Sequence, residues 1–179
     1  MGEITVHEFI TLDGVIESPS WSADYPFDPK MGEAIGRLMG SALLLGRNTF
    51  ELFARSWPDR TAEDDPGAPF MNESPKYVVS GTLKSAEWKN STILGPYDAN
   101  AIRDLKDRID GNIYVSGSGM LVRQMLADGL VDELHLFVYP LAVGTGGRLF
   151  AEGDAAKLEL VETEAYDGGV VHLGYQAAS

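Results

Sequence analysis

Up to residue 130 this chain alternates short apolar runs with amphipathic stretches, and after it only strand-like runs follow. Few architectures accept that order. Strands separated by helices build a mostly parallel sheet covered on both faces, and strands in succession add antiparallel neighbours at an edge. Ile4, Val6 and Ile10 alternate within residues 3–12 and mark a first strand. Asp28-Pro29 opens a helix, with aspartate as cap and proline in the first turn, and Gly40 stops it. Ala42-Leu43-Leu44-Leu45 has no polar alternation, as expected of a strand buried on both faces. A short helix follows through about Phe53. Strands are expected at Tyr77–Ser80, Thr92–Leu94, Ile113–Val115 and Val131–Tyr139, with helices before Gly111 and before Asp128-Gly129. Leu158–Tyr166 and Val170–Gln176 suit a hairpin about Asp167-Gly168-Gly169.

Residues 54–75 break the rhythm. Pro58, Pro66, Gly67, Pro69 and Pro75 predict no regular structure there, and five acids make the stretch acidic. Such a segment serves as a flap over a site or is simply a mobile loop. No repeat or linker divides the chain, so one domain over residues 1–179 is expected.

Lys+Arg number 14 against Asp+Glu 27, a net charge of −13. That balance argues against nucleic acid or an anionic membrane as partner. It also requires any anionic ligand to be held by local groups. Cysteine is absent, which excludes disulfides and thiolate ligands. No secretory leader pattern or bilayer-length apolar run is present, and a cytoplasmic location is the expectation.

Two strand-to-helix turns could carry chemistry. In Ile113–Leu126, Gly117 and Gly119 let a ligand approach the backbone, and the following helix start offers unpaired N–H groups to a phosphate. Val122 stands where a dinucleotide fingerprint has its third glycine, and no Walker lysine is present. Alone, this stretch is equally an ordinary tight turn. The second turn, Gly46-Arg47-Asn48-Thr49, ends a buried strand with a guanidinium and a hydroxyl. Ligands of α/β sheets bind beyond the carboxyl ends of the strands, so the two turns together could hold two phosphates. The plainer alternative makes Arg47 a surface ion-pair partner and Asn48 a helix cap with Glu51.

With both turns in this order, the chain resembles the dihydrofolate-reductase-like family, in its branch related to the RibD C-terminal reductase domain of riboflavin biosynthesis. Phe9-Ile-Thr-Leu-Asp13-Gly14-Val15-Ile16, Gly46-Arg47-Asn48-Thr49, Tyr77–Ser80, Val115–Gly119 and Leu130–Leu134 through Phe150 carry the resemblance. It implies a mostly parallel central sheet flanked by helices, with a C-terminal antiparallel hairpin at one edge. It implies an NADPH-dependent reductase acting on 5-amino-6-(5-phosphoribosylamino)uracil or another small heterocyclic or carbonyl compound, and a homodimer. Gly46, Arg47 and Thr49 would then hold cofactor phosphates, and Ser80 would sit near the adenosine. Gly117, Ser118, Gly119, Met120 and Leu121 would wrap the diphosphate. Val15 and Ile16 would pass the nicotinamide.

The proton donor is less legible. Folate reductases carry a carboxylate on the first helix, where Lys30 matches the spacing better than any acid here. That speaks against a folate substrate. Asp13 and Asp28 are the catalytic candidates, though each also suits a turn or a cap, and Glu17 is a loop carboxylate near the same mouth. His7, His135 and His172 fall in separate strands without a metal-ligand spacing, so no metal site is expected. They read as solvent-facing or satisfied core positions. Trp21 and Trp57 flank the expected pocket, to stack on a ring or to cover the core edge. A non-catalytic pyridine-nucleotide-binding or sensing module is the alternative function.

Overall fold

The computed structural model describes residues 1–178. Eight strands form one sheet: β1 Glu3–Thr11, β2 Ala42–Gly46, β3 Lys76–Val79, β4 Ser91–Gly95, β5 Asn112–Ser116, β6 Glu133–Tyr139, β7 Leu158–Ala165 and β8 Val171–Ala177. Their spatial order is β4-β3-β2-β5-β1-β6-β8-β7. The first six run parallel, while β8 pairs antiparallel with both β6 and β7. The pairing turns antiparallel only after β6, which follows residue 130 yet still runs parallel to β1. The hairpin turn takes Gly168 and Gly169 at φ +82° and +85°, a conformation that side chains disfavour.

The helices are α1 Pro29–Leu38, α2 Arg47–Ser56, α3 Ala68–Glu73, α4 Ala99–Arg108 and α5 Gly119–Ala127. Alternation along β1 divides the core. Ile4, Val6 and Ile10 pack with Ile102 and Leu105 of α4 and Leu121, Val122 and Met125 of α5. On the opposite face Met31 and Leu38 of α1, Phe50 of α2 and Met71 of α3 pack with Phe137 and Tyr139.

The 54–75 segment departs from expectation. α2 continues to Ser56, and α3 lies inside the stretch. Pro69 falls in the first helical turn, where its missing N–H costs nothing, and Ala68 and Met71 are buried. Asn72 donates to the carbonyls of Trp57 and Arg60 and accepts from Trp88 Nε1. Beyond the helix, the fully buried Lys76 ammonium donates to the carbonyls of Asn72, Ser74 and Lys89 and sits 4.4 Å from the Trp88 ring centroid. Burial of so strongly hydrated a group is tolerated because all three of its donors are engaged.

Candidate functional site

β5 is inserted between β1 and β2, so the turns after β2 and β5 emerge side by side at the carboxyl edge of the sheet. They touch: Gly46 N–H donates to Ser118 Oγ at 2.9 Å. Gly117 and Ser118 both take φ +68°, which folds the backbone into the start of α5. A Cβ on Gly117 would stand 3.3 Å from Thr49 Oγ1, and one on Gly119 only 2.6 Å from Ile16 Cδ1. No side chain caps the start of α2 or of α5. Two sets of unfilled helix N–H groups therefore face one space.

That space is a cleft of about 790 Å³, within the range of small-molecule and cofactor sites. Ile16, Gly46, Arg47, Thr49 and Ser80 line it, and so do Gly117, Ser118, Gly119, Met120 and Leu121. Val15 does not line it. Its side chain is buried and its backbone bridges to Arg148. Three guanidinium groups, Arg47, Arg123 and Arg148, border the cleft. Cationic groups thus border the cleft where an anion would lie, with Arg47 already paired to Glu51, Arg148 3.8 Å from Asp13, and Glu17 on the same border.

Arg47 is held on the rim by Glu51 (Nε–Oε1 3.0 Å) and by Thr82 Oγ1 (2.7 Å from Nη1). The ion-pair role foreseen for Arg47 is real and leaves donors of the fork unused. The cap foreseen at Asn48 is not formed: Gly46 is the cap residue of α2, and Asn48 lies inside the helix. Ser80 Oγ accepts from the N–H groups of Thr82 and Leu83, shaping the loop after β3.

Neither acid proposed for catalysis borders the cleft. Asp13 accepts from the Thr11 hydroxyl and from the N–H groups of Gly144 (2.8 Å) and Val143 (3.2 Å). The Thr11 bond above all, then that from Gly144, holds its pKa down to about 2. Asp28 accepts from Asp167 N–H at 3.0 Å and caps α1 through Lys30 N–H at 2.9 Å, which also lowers its pKa. Both are ionised loop-fastening groups, ill suited to give a proton at neutral pH. Glu17 does border the cleft and accepts from Gly147 N–H at 2.7 Å.

The sequence reading passed over Glu8 and placed His7 in solvent or a satisfied core, yet both border the cleft. His7 and Glu8, 7% and 3% exposed, stand near the mouth end of β1. His7 Nδ1 meets Tyr114 Oη at 2.8 Å, while its Nε2 has no partner. Glu8 Oε1 is buried and also has no partner. The signal was a glutamate at the inward phase of a strand, between Val6 and Ile10.

The histidines, separate in sequence, gather on one sheet face. His7 and His135 are register partners on β1 and β6, and His135 Nδ1 lies 2.9 Å from His172 Nε2. Ligand atoms of His135, His172 and Glu162 fall within 4.8 Å of one another. Glu133 (3.0 Å) and Arg37 (3.2 Å) engage His135 and Glu162 respectively. Burial, then His135 and His172, lowers the His7 pKa from 6.5 to about 3. The folded chain therefore keeps His7 neutral where the unfolded chain protonates it, and stability is lost as pH falls from 6.5 toward 3. Between pH 7 and 4 this group should cost about 3 kcal/mol. Urea unfolding midpoints at both pH values should show a shallower loss in His7→Asn; an unchanged slope would exclude His7 as the source.

Trp21 packs on Tyr139 at 5.2 Å and Trp57 against Phe53 at 6.2 Å. Neither borders the cleft, so both cover the core edge.

Sheet order and cleft define an α/β protein of the dihydrofolate-reductase-like fold. The chain belongs to the RibD C-terminal domain family, which matches residues 3–172. It is 27% identical over 173 residues to the uncharacterized protein YyaP of Bacillus subtilis, covering 93% of this chain and 90% of that one. A putative riboflavin biosynthesis protein from Shewanella sp. PV-4 superposes with a TM-score of 0.79 at 20% identity, covering 99% of each chain. Dihydrofolate reductase from Enterococcus faecalis, solved with NADP(H) and RAB-propyl, gives 0.65 at 16% identity, covering 99% of this chain and 97% of that one. Among the described residues, no helix is long and apolar enough to cross a membrane.

Proposed function

We propose that this chain is an NADPH-dependent reductase of the riboflavin-biosynthesis type. It reduces a small heterocyclic or carbonyl compound, with 5-amino-6-(5-phosphoribosylamino)uracil as the leading candidate. One observation carries the reading: two uncapped helix starts open into a single arginine-bordered cleft of an otherwise anion-repelling molecule. The dihydrofolate reductase of the same fold, solved with NADP(H), supports a pyridine nucleotide as the anion.

Arg47 and Thr49 would hold phosphate oxygens, and the backbone of Gly117–Leu121 would follow the diphosphate. Ser80 would lie toward the adenosine and Ile16 toward the nicotinamide. The bound cofactor supplies the hydride. The protein orients the ring, excludes water with Ile16, Phe9 and Leu121, and holds the proton. Family resemblance supports a homodimer as the working form.

The test is loss of NADPH absorbance with the uracil compound and with a panel of heterocyclic and carbonyl compounds. Turnover above the protein-free rate is expected. NADPH binding without any turnover would instead favour the nucleotide-sensing alternative, which the engagement of Asp13 and Asp28 by backbone N–H groups supports.

A further inference from the structure

Glu8 has no structural employment that explains it. Val6, Glu8 and Ile10 share one face of β1, packed with Leu121, Leu136 and Ile16. A glutamate among these residues costs stability unless it is paired or neutral. Among the described residues no cation pairs with it, and its Oε1 lacks even a hydrogen-bond donor. It nevertheless borders the cleft, on the face that Ile16 also occupies.

We propose that Glu8 is the acid of this site: a neutral carboxyl at the nicotinamide end of the cleft that gives its proton to the substrate atom left negative by hydride addition. The inference rests on the reductase reading above. A bound dihydronicotinamide would supply hydride, with both electrons, from C4 to the carbon of a substrate C=N or C=O group, and Glu8 would serve the atom left negative. The π pair moves to the nitrogen or oxygen, which takes the proton from Glu8. The substrate is reduced by two electrons, the cofactor is oxidised, and water later reprotonates the Glu8 carboxylate.

Burial alone raises the Glu8 pKa from 4.5 to about 8, so the acid form is the resting form at neutral pH. The titratable and charged groups bordering the same cleft are His7, Glu17, Arg47, Tyr97, Arg123 and Arg148. Tyr114, from β5, has its pKa raised first by burial and less by Glu8 when that carboxyl is ionised. His7 is held neutral, so no neighbour on β1 supplies a compensating cation. A cationic nicotinamide ring would be the first positive charge brought to the Glu8 carboxyl, and it favours loss of the proton.

Titration calorimetry of the full chain tests this without a substrate. NADP+ and NADPH are each bound at pH 7 in two buffers of different ionisation heat, which reports the protons released. Ribose phosphate and diphosphate are common to both, so the difference isolates the ring. NADP+ should release more protons than NADPH, by up to one per site. Glu8→Gln should bind both and erase the difference. Equal release by the two cofactors, or a difference that survives Glu8→Gln, would overturn the assignment. Failure of wild type to bind either cofactor would instead remove the reductase reading on which it stands.

Discussion

Arg47→Ala is expected to weaken NADPH binding roughly 10- to 100-fold while leaving the fold intact. A charge-assisted bond to phosphate contributes about 1.5–3 kcal/mol, and each factor of ten corresponds to about 1.4 kcal/mol. The guanidinium is already fastened on the rim by Glu51 and Thr82, so little ordering is left for binding to pay for. The Glu51 pair is half exposed, and pairs of that kind add at most about 1 kcal/mol to stability. Calorimetry with NADPH, together with a thermal melt of the variant, separates the two effects. Equal affinity in wild type and variant would remove Arg47 from the phosphate site and weaken the two-turn reading with it.

The second large effect runs opposite to most core substitutions. Glu8→Gln is expected to stabilise the protein by about 3 kcal/mol at pH 7 and by almost nothing at pH 4. The folded chain holds the Glu8 proton up to about 8, whereas the unfolded chain releases it above 4.5. Wild type therefore loses stability as pH climbs from 4.5 to 8, and the loss levels off above that range. Glutamine has no charge to suppress and pays no such cost. Since total stabilities are about 5–15 kcal/mol, the gain should be plain in urea unfolding. The His7 contribution has the opposite slope and overlaps it between pH 4.5 and 6.5, so only the paired variants resolve the two. A pH-independent difference between Glu8→Gln and wild type would mean that Glu8 is not a buried neutral acid. Stability given up at a site that chemistry needs is a familiar exchange.

The sheet was legible because its signals are local. Uninterrupted Ala42–Leu45 and alternating Ile4, Val6 and Ile10 each announce their burial, and Gly168-Gly169 announces the hairpin. Both cleft-forming turns were visible for the same reason. Helix α3 was hidden because a proline cluster suggests disruption, although proline in a first turn is harmless and Met71 supplies a buried anchor. Asp13 and Asp28 became candidates because the resemblance asks for a carboxylate there; their turn and cap roles were foreseen, but the further partners Gly144 and Asp167 lie more than a hundred residues away. The same separation concealed the gathering of His7, His135 and His172, since strand order and not sequence brings them together. Glu8 was concealed by its setting: a charge in an apolar strand reads as a solvent-facing exception until its face is known.

Asp13 and Glu17, on the loop after β1, receive N–H groups from Val143, Gly144 and Gly147 on the loop after β6. The Val15–Arg148 bridge adds a third fastening. One wall of the entrance is therefore a welded pair of segments drawn from opposite ends of the chain. A change of substrate preference cannot be made by remodelling either segment alone; lengthening one would drag its distant counterpart, so new specificities in this scaffold demand concerted alteration of both.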